Sequence, residues 1–300
     1  MLDRQEYPDW LRKRLIFKED AFRTKETLAR LGLNTVCEAA LCPNLNECFS
    51  KKTATFMILG DRCSRSCRFC SVSKAPPKEV DPGEPEKIAE AVVELGLKYV
   101  VITSVTRDDL PDGGAGHFAA VVRNVRTAVS GIKIEVLVPD FGGNLKSVET
   151  VIEASPDVFG HNMETVKRLY PKVRASASYA RSLGVLRSAK SIDRGQITKT
   201  GIMVGLGEKR EDVIGLMADV TLTGCDILTV GQYLRSSRAN ADVDRFVDPE
   251  EFKYYEDTAR AIGFPVVFAG AFVRSSYLAD ELYSKITEGR YDKSSAAAAG

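Results

Sequence analysis

Six of the chain's seven cysteines fall between Cys37 and Cys70, in two triplets. Cys37, Cys42 and Cys48 are spaced C-x4-C-x5-C, and Cys63, Cys67 and Cys70 are spaced C-x3-C-x2-C. Thiols this dense must be cross-linked or metal-bound, and compartment decides which. Residues 1–15, MLDRQEYPDWLRKRL, hold no apolar core of a secretory signal. No apolar run reaches the roughly 18–20 residues of a membrane span. The net charge of +1 offers no global attraction to nucleic acid or membrane. These features predict a cytoplasmic protein with neither partner, in which clustered thiols stay reduced and bind metal.

Each triplet supplies three soft ligands with no nearby histidine, since the chain has only His117 and His161. Structural zinc wants four ligands, commonly from two separated pairs. Three thiolates on a cuboidal iron–sulfur cluster leave one iron open or filled from elsewhere in the chain, and an open iron can bind a substrate. The spacing therefore favours two iron–sulfur centres over zinc. Cys225 stands apart on an apolar strand edge and reads as a core residue.

Residues 53–60, TATFMILG, read as a buried strand, which puts the second triplet in the loop leaving it. Further strands are expected at 99–105, 132–138, 157–160, 196–205, 226–231 and 264–269. Helices are expected between them and over 274–288, with Pro85 and Pro249 as starts and Gly96 as a stop. Residues 22–31 read as helical, with a weak apolar face at Trp10, Leu11, Leu15 and Phe17 before them. Residues 294–300 read as a disordered tail. This alternation predicts a parallel α/β fold, and an open doubly wound sheet and a barrel satisfy it equally.

Cys63-Ser-Arg-Ser-Cys67-Arg-Phe-Cys70 resembles the signature of the radical S-adenosylmethionine superfamily, with Phe69 as the aromatic before the last cysteine. The resemblance implies a 4Fe–4S cluster whose unique iron chelates S-adenosylmethionine. A narrower resemblance spans residues 30–280. CEAALCPNLNEC, ATFMILGDRC, VVITSVTRDDLPDGG, HNMET, GIMVGLGE and RSSY, in that order, are similar to the lipoyl synthase family.

Together these imply a partial (β/α)6 TIM-type barrel with N- and C-terminal extensions covering the barrel mouth. Residues 1–52 would carry an auxiliary 4Fe–4S cluster, 53–270 the barrel, and 271–300 a cluster ligand and the tail. The implied reaction inserts sulfur at C6 and C8 of an octanoyl group amide-linked to a lysine of a lipoyl carrier domain. Those carbons are unactivated, so a 5′-deoxyadenosyl radical takes the hydrogens and the auxiliary cluster gives the sulfur. The protein supplies placement and exclusion of water. The implied partners are the octanoylated carrier and a low-potential electron donor such as ferredoxin or flavodoxin.

The resemblance also implies site residues. The auxiliary cluster takes Cys37, Cys42, Cys48 and a serine of Arg274-Ser275-Ser276-Tyr277. Ser276 is the expected ligand and Ser275 the fallback, and the competing role for both is capping the last helix. Where the family often has His-Ala, this chain has Leu278-Ala279. Expected S-adenosylmethionine contacts are Phe69, Ser104, Asn162, Met203, Gly205 and Glu208. His161 could equally be structural, and Gly113, Gly114 and Gly116 lack a phosphate-binding fingerprint. The basic segment 164–199 could steer an acidic carrier through Arg181, Arg187 and Lys190. Three rival functions remain open at this point: a two-cluster electron carrier, another sulfur-inserting radical enzyme of methylthiotransferase or biotin-synthase type, and a zinc-binding interaction protein.

Overall fold

A computed structural model describes residues 7–12, 19–51 and 53–288. The expectations for Leu15, Phe17 and the 294–300 tail lie outside them. A single 3-10 turn at Asp9–Leu11 precedes helix α1 (Glu19–Arg30), and two short helices, α2 (Val36–Ala39) and α3 (Leu45–Ser50), carry the first triplet. Strand β1 (Thr55–Ile58) then opens six strand–helix units: α4 (Glu84–Leu95), β2 (Tyr99–Ser104), α5 (Ala115–Ala128), β3 (Lys133–Leu137), α6 (Leu145–Glu153) and β4 (Val158–Gly160). The fourth crossover is broken into α7 (Tyr170–Val173) and α8 (Tyr179–Ile192). Then follow β5 (Ile197–Val204), α9 (Arg210–Thr221), β6 (Ile227–Gln232), α10 (Pro249–Ile262), β7 (Val266–Gly270) and α11 (Ala279–Thr287).

All seven strands are parallel and ordered β1 to β7 without reversal. A doubly wound sheet reverses its order at a switch point, so this sheet is the partial-barrel solution. It is open, because β7 does not pair with β1. The free edge of β1 is covered locally: Thr35 bridges Phe56 antiparallel and Met57 N–H donates to Asn34 O at 2.8 Å. An uncovered edge would be a template for pairing with another chain.

The two faces of the sheet follow strand alternation. Val100, Ile102, Ile134 and Val136 pack outward against Val92, Val122 and Val151 of α4, α5 and α6. Ile202, Val204, Leu228 and Val230 do the same with Leu216, Met217, Phe252 and Tyr255 of α9 and α10. The alternate residues face inward. Tyr99 and Val101 meet Ala279, while Ile227 and Val266 meet Leu282. Tyr99, Ile227 and Val266 lie at or near the starts of their strands, so α11 stoppers the N-terminal end of the barrel. Above it Lys199 bonds Glu135 at 2.9 Å, with both side chains almost wholly buried, and Tyr99 donates to the same carboxylate at 2.7 Å.

Candidate metal centres and the barrel mouth

The second triplet lies in the loop leaving β1, at the carboxyl end of the sheet. The loop is pinned at its neck by Cys63 N–H donating to Ser73 O at 2.8 Å. Cys63 Sγ accepts the backbone N–H groups of Thr106 at 3.4 Å and Arg65 at 3.5 Å. Arg65, only 8% exposed, donates to Asp108 at 2.7 and 2.8 Å and to the fully buried Asp140 at 2.7 Å. Burial by itself would raise the Asp140 carboxyl, but the Arg65 hydrogen bond and charge outweigh it and hold the pKa at about 2. Elsewhere the loop is tied down by Arg68 N–H to Val173 O at 2.9 Å and Asn240 Nδ2 to Cys70 O at 2.9 Å. The cysteines are therefore held by the loops after β1, β2, β3, β4 and β6 together.

Burial pushes the Cys70 thiol up to about 11 and raises Cys67, where the Arg174 charge opposes the shift. Buried thiols of this kind deprotonate when they take a metal. Among the described residues, no three His, Cys, Asp or Glu side chains are grouped as a site for a single metal ion.

Beside this loop, HNMET leaves β4. Asn162 Nδ2 donates to Glu164 Oε1 at 3.0 Å, while buried Asn162 Oδ1 has no partner. Ser104 Oγ and His161 Nε2 are likewise buried without a partner. The other His161 nitrogen, Nδ1, sits 2.9 Å from Val138 O, and burial drops the ring pKa to about 4, so it is neutral near pH 7. Glu164 takes a left-handed backbone (φ 64°), and its N–H and C=O pair with Gly201 and Met203 of β5. Burial raises its carboxyl pKa, with Arg174 opposing. Arg174 donates to Asn162 O at 2.8 Å and lies within electrostatic reach of Cys67 and Glu164.

Sequence reading missed Glu164 and Arg174. HNMET enters the family resemblance as a motif, with no role given to its glutamate. A carboxylate two residues after an expected strand-end asparagine was the available signal.

The first triplet is built differently. Cys37 is buried on α2 against β1; burial pushes its thiol up to about 11, and hydrogen bonds from Thr55 oppose the shift. Cys42 follows α2 and Cys48 lies on α3. The C-terminal segment closes over them. Asn44 Nδ2 donates to Phe272 O at 2.8 Å, and Tyr277 Oη donates to Glu47 Oε1 at 2.9 Å. Val273 O lies where a Cβ on Gly231 of β6 would come within 2.1 Å, so only glycine lets the segment enter the barrel. The expected helix from residue 274 begins instead at Ala279, after Leu278 with φ 52°. Ser275 and Ser276 therefore lie in a turn, with Tyr277 N–H to Arg274 O at 3.0 Å, and do not cap α11. Ser275 Cβ packs against Gly201, 3.3 Å from where its Cβ would be.

GIMVGLGE supplies backbone more than side chains. Gly205 N–H and Leu206 N–H donate to the two oxygens of Glu208 at 2.6 and 2.9 Å, so that carboxylate is spent on bracing its own turn. Gly205 (φ 98°) packs against Gln232 and Arg245 O, leaving no room for a side chain. Met203 lies on the inward register with Gly201, and Phe69 packs against the buried apolar residues of β5, β6, α9 and α10.

The basic segment is largely consumed. Arg181 bonds Asp140 at 3.3 Å, Lys190 bonds Asp226 at 2.6 Å, Arg168 bonds Asp212, and Lys199 is in the buried pair. Reversing Arg181 and Lys190 would break internal ion pairs, so those two residues do not form a free docking face. Lys172, Arg187 and Arg194 remain exposed.

The profile of the radical SAM superfamily matches residues 57–220, which cover β1 through α9 and so include the second triplet and HNMET. A protein of Caldanaerobacter subterraneus named lipoyl synthase is 52% identical over 273 residues, covering 91% of this chain and 95% of its own length. One of Alkaliphilus metalliredigens with the same name is 51% identical over 281 residues, covering 94% and 97%. The chain belongs to the lipoyl synthase family. Membership carries with it the radical SAM 4Fe–4S cluster and S-adenosylmethionine. Among solved structures, the FeFe-hydrogenase maturase HydG from Carboxydothermus hydrogenoformans aligns with TM-score 0.59 at 14% identity, over 88% of this chain and 68% of its own. Streptococcus suis SuiB bound to S-adenosylmethionine aligns with TM-score 0.55 at 12% identity, over 85% and 57%. Both likenesses concern the fold.

The residues fit the superfamily's groups. The second triplet offers three soft ligands, and Asn162 Oδ1 is a buried polar atom left unmet on a residue bonded to Glu164 and Arg174, both within electrostatic reach of Cys67. A buried polar atom without a partner costs on the order of 1–3 kcal/mol, which a polar ligand in the mouth would recover. No helix among the described residues is long and apolar enough to cross a membrane.

Proposed function

We propose that this chain makes the lipoyl cofactor by inserting sulfur at C6 and C8 of an octanoyl group carried on a lysine of a lipoyl carrier domain or protein. The observation that carries the reading is the pairing of two cysteine triplets with one barrel mouth, the first closed by a turn from the opposite end of the chain. Cys63, Cys67 and Cys70 hold the cluster that takes S-adenosylmethionine. Cys37, Cys42 and Cys48 hold a second 4Fe–4S cluster with Ser276 as its fourth ligand. Its place in a turn favours Ser276, because Ser275 is already packed against Gly201. When bound, these groups supply hydrogen-abstracting radical chemistry and sulfur.

The chain's own residues orient and shield. Asn162 and Glu164 offer acceptors to the hydroxyls and ammonium of S-adenosylmethionine, and Arg174 sets the charge beside Cys67. Phe69 and Met203 border the same space, Ser104 ends β2 on the outward register of Val100 and Ile102, and Gly205 and Glu208 fix the backbone at the rim. His161, neutral near pH 7, adds no charge there. The residue 233–247 loop is stitched to the cysteine loop by Ala241 N–H to Arg68 O at 2.7 Å. A low-potential donor such as ferredoxin or flavodoxin delivers electrons.

The test is anaerobic reconstitution followed by incubation with S-adenosylmethionine, dithionite and an octanoyl-lysine peptide. The reading requires about eight irons per chain, four per cluster, and two sulfurs in the peptide. Chain that binds zinc in place of iron, or iron-loaded chain that adds no sulfur, would overturn it.

A further inference from the structure

Arg274 is a half-buried cation with no carboxylate partner among the described residues. Its Nη1 donates to Val273 O at 2.7 Å and contacts Ala271 O at 3.5 Å, both on its own loop. It forms no ion pair with any Asp or Glu among the described residues. The buried guanidiniums differ. Arg65 has Asp108 and Asp140, Arg107 has Asp109, and Arg174 has Glu164 within electrostatic reach. An arginine cannot shed its proton, so one partly withdrawn from water favours an anion beside it.

Cys42 of the first triplet lies within electrostatic reach of Arg274, and the turn that carries Arg274 is tied to the triplet's helices by Asn44 and Tyr277. Nor can the arginine swing away. Val273 is wedged onto Gly231, where a Cβ would also come within 3.4 Å of Arg274 Nη1, and Tyr277 N–H holds Arg274 O from the other side. The fold thus fixes an uncompensated positive charge beside Cys42, on the segment that closes the first triplet.

We infer that Arg274 is the counter-charge of an anionic iron–sulfur group on Cys37, Cys42 and Cys48, a positioning residue that retains this group and raises its potential without ligating it. The inference rests on the auxiliary-cluster reading above. A cation beside a cluster favours its more negative, reduced form, and net charge and hydrogen bonding are the levers by which proteins tune such potentials.

The experiment isolates the first triplet in a chain carrying Cys63→Ala, Cys67→Ala and Cys70→Ala. It compares Arg274 with Arg274→Met, Arg274→Gln and Arg274→Lys. Methionine keeps the length without burying a polar head, so it guards against a variant that fails only by misfolding. Three quantities are read after anaerobic reconstitution: iron per chain, the rate of iron loss to a chelator, and the midpoint potential followed by electron paramagnetic resonance.

The expected result is about four irons in the parent. Both neutral variants should lose iron at least about tenfold faster, the size of one lost charge-assisted contact. Their potential should be more negative, and Arg274→Lys should restore it toward the parent. A parent that binds no iron overturns the auxiliary-cluster reading itself. A parent with four irons whose neutral variants keep the same potential and the same rate of loss overturns the role of Arg274 and leaves that reading standing.

Discussion

The two cysteine triplets are close in sequence and unlike in construction. The second sits in one loop at the carboxyl end of β1, where neighbouring loops of the barrel reach it. Its brace is a buried charged network, Arg65 with Asp108 and Asp140, and Cys63 Sγ accepts two backbone N–H groups. The first sits on two short helices at the open edge of the sheet, and its closure comes from residues more than 220 positions away, through Asn44 to Phe272 O and Tyr277 to Glu47. A site made within one frame is rigid and suits a centre that survives each turnover. A site made by docking the two ends of a chain suits a centre that must be dismantled and refilled.

That contrast can be broken most sharply at the thiols. Cys63→Ala should abolish formation of 5′-deoxyadenosine from S-adenosylmethionine, whereas Cys42→Ala should still form it and add no sulfur. Chromatography of both products from the same reaction checks this. Loss of 5′-deoxyadenosine in both variants would make the triplets one unit.

The brace comes next. Arg65→Ala leaves the buried Asp140 carboxylate with only the longer Arg181 contact at 3.3 Å and the Gly142 N–H, and should cost about 3 kcal/mol of unfolding free energy in denaturant titrations, the low end for breaking a buried pair. A cost below about 1 kcal/mol, the range of an exposed ion pair, would mean that the network does not brace the loop.

Gly231→Ala probes the other site. A methyl within 2.1 Å of Val273 O must push the C-terminal turn out. Overpacking of this kind costs about 1–3 kcal/mol. Iron analysis should show loss confined to the first triplet, with S-adenosylmethionine cleavage retained. Equal iron loss from both triplets would contradict separate construction.

Acid gives the smallest effect. Asp140 ionises at about 2 in the folded chain against 3.8 for the free group. The carboxyl is depressed, so its contribution is fully present above pH 3.8 and disappears as pH falls through about 2. The contribution is about 2 kcal/mol, and the wild-type stability profile should lose this step in Asp140→Asn. An unchanged acid limb would show that Asp140 does not carry it.

The local features were legible in the sequence and the long-range ones were not. All seven strands and the loop position of Cys63, Cys67 and Cys70 follow from apolar runs punctuated by glycine and proline, because each is decided within about ten residues. Pattern alone could not choose between sheet and barrel, since strand order is a relation between elements. Between the strands expected at 157–160 and 196–205 the pattern predicts helix, yet the segment breaks between α7 and α8, where Ala175 to Ala177 separate Arg174 from the next cap at Ser178. Residues 274–278 read as helix, but they form a turn because Val273 is anchored on Gly231, a contact invisible from either residue alone. The partners of Arg181 and Lys190 were equally hidden, so a basic run read as a surface when much of it is internal ion pairing.

The central claim is that the first triplet holds the reagent and the second the catalyst. Reconstituting the chain with 34S-sulfide, removing free sulfide, and running one turnover with an octanoyl-lysine peptide in 32S-sulfide tests it directly. Mass spectrometry of the peptide should find both inserted sulfurs as 34S, with iron lost from the first triplet and retained by the second. Product sulfur carrying 32S, or iron retained in full by Cys37, Cys42 and Cys48, would contradict it.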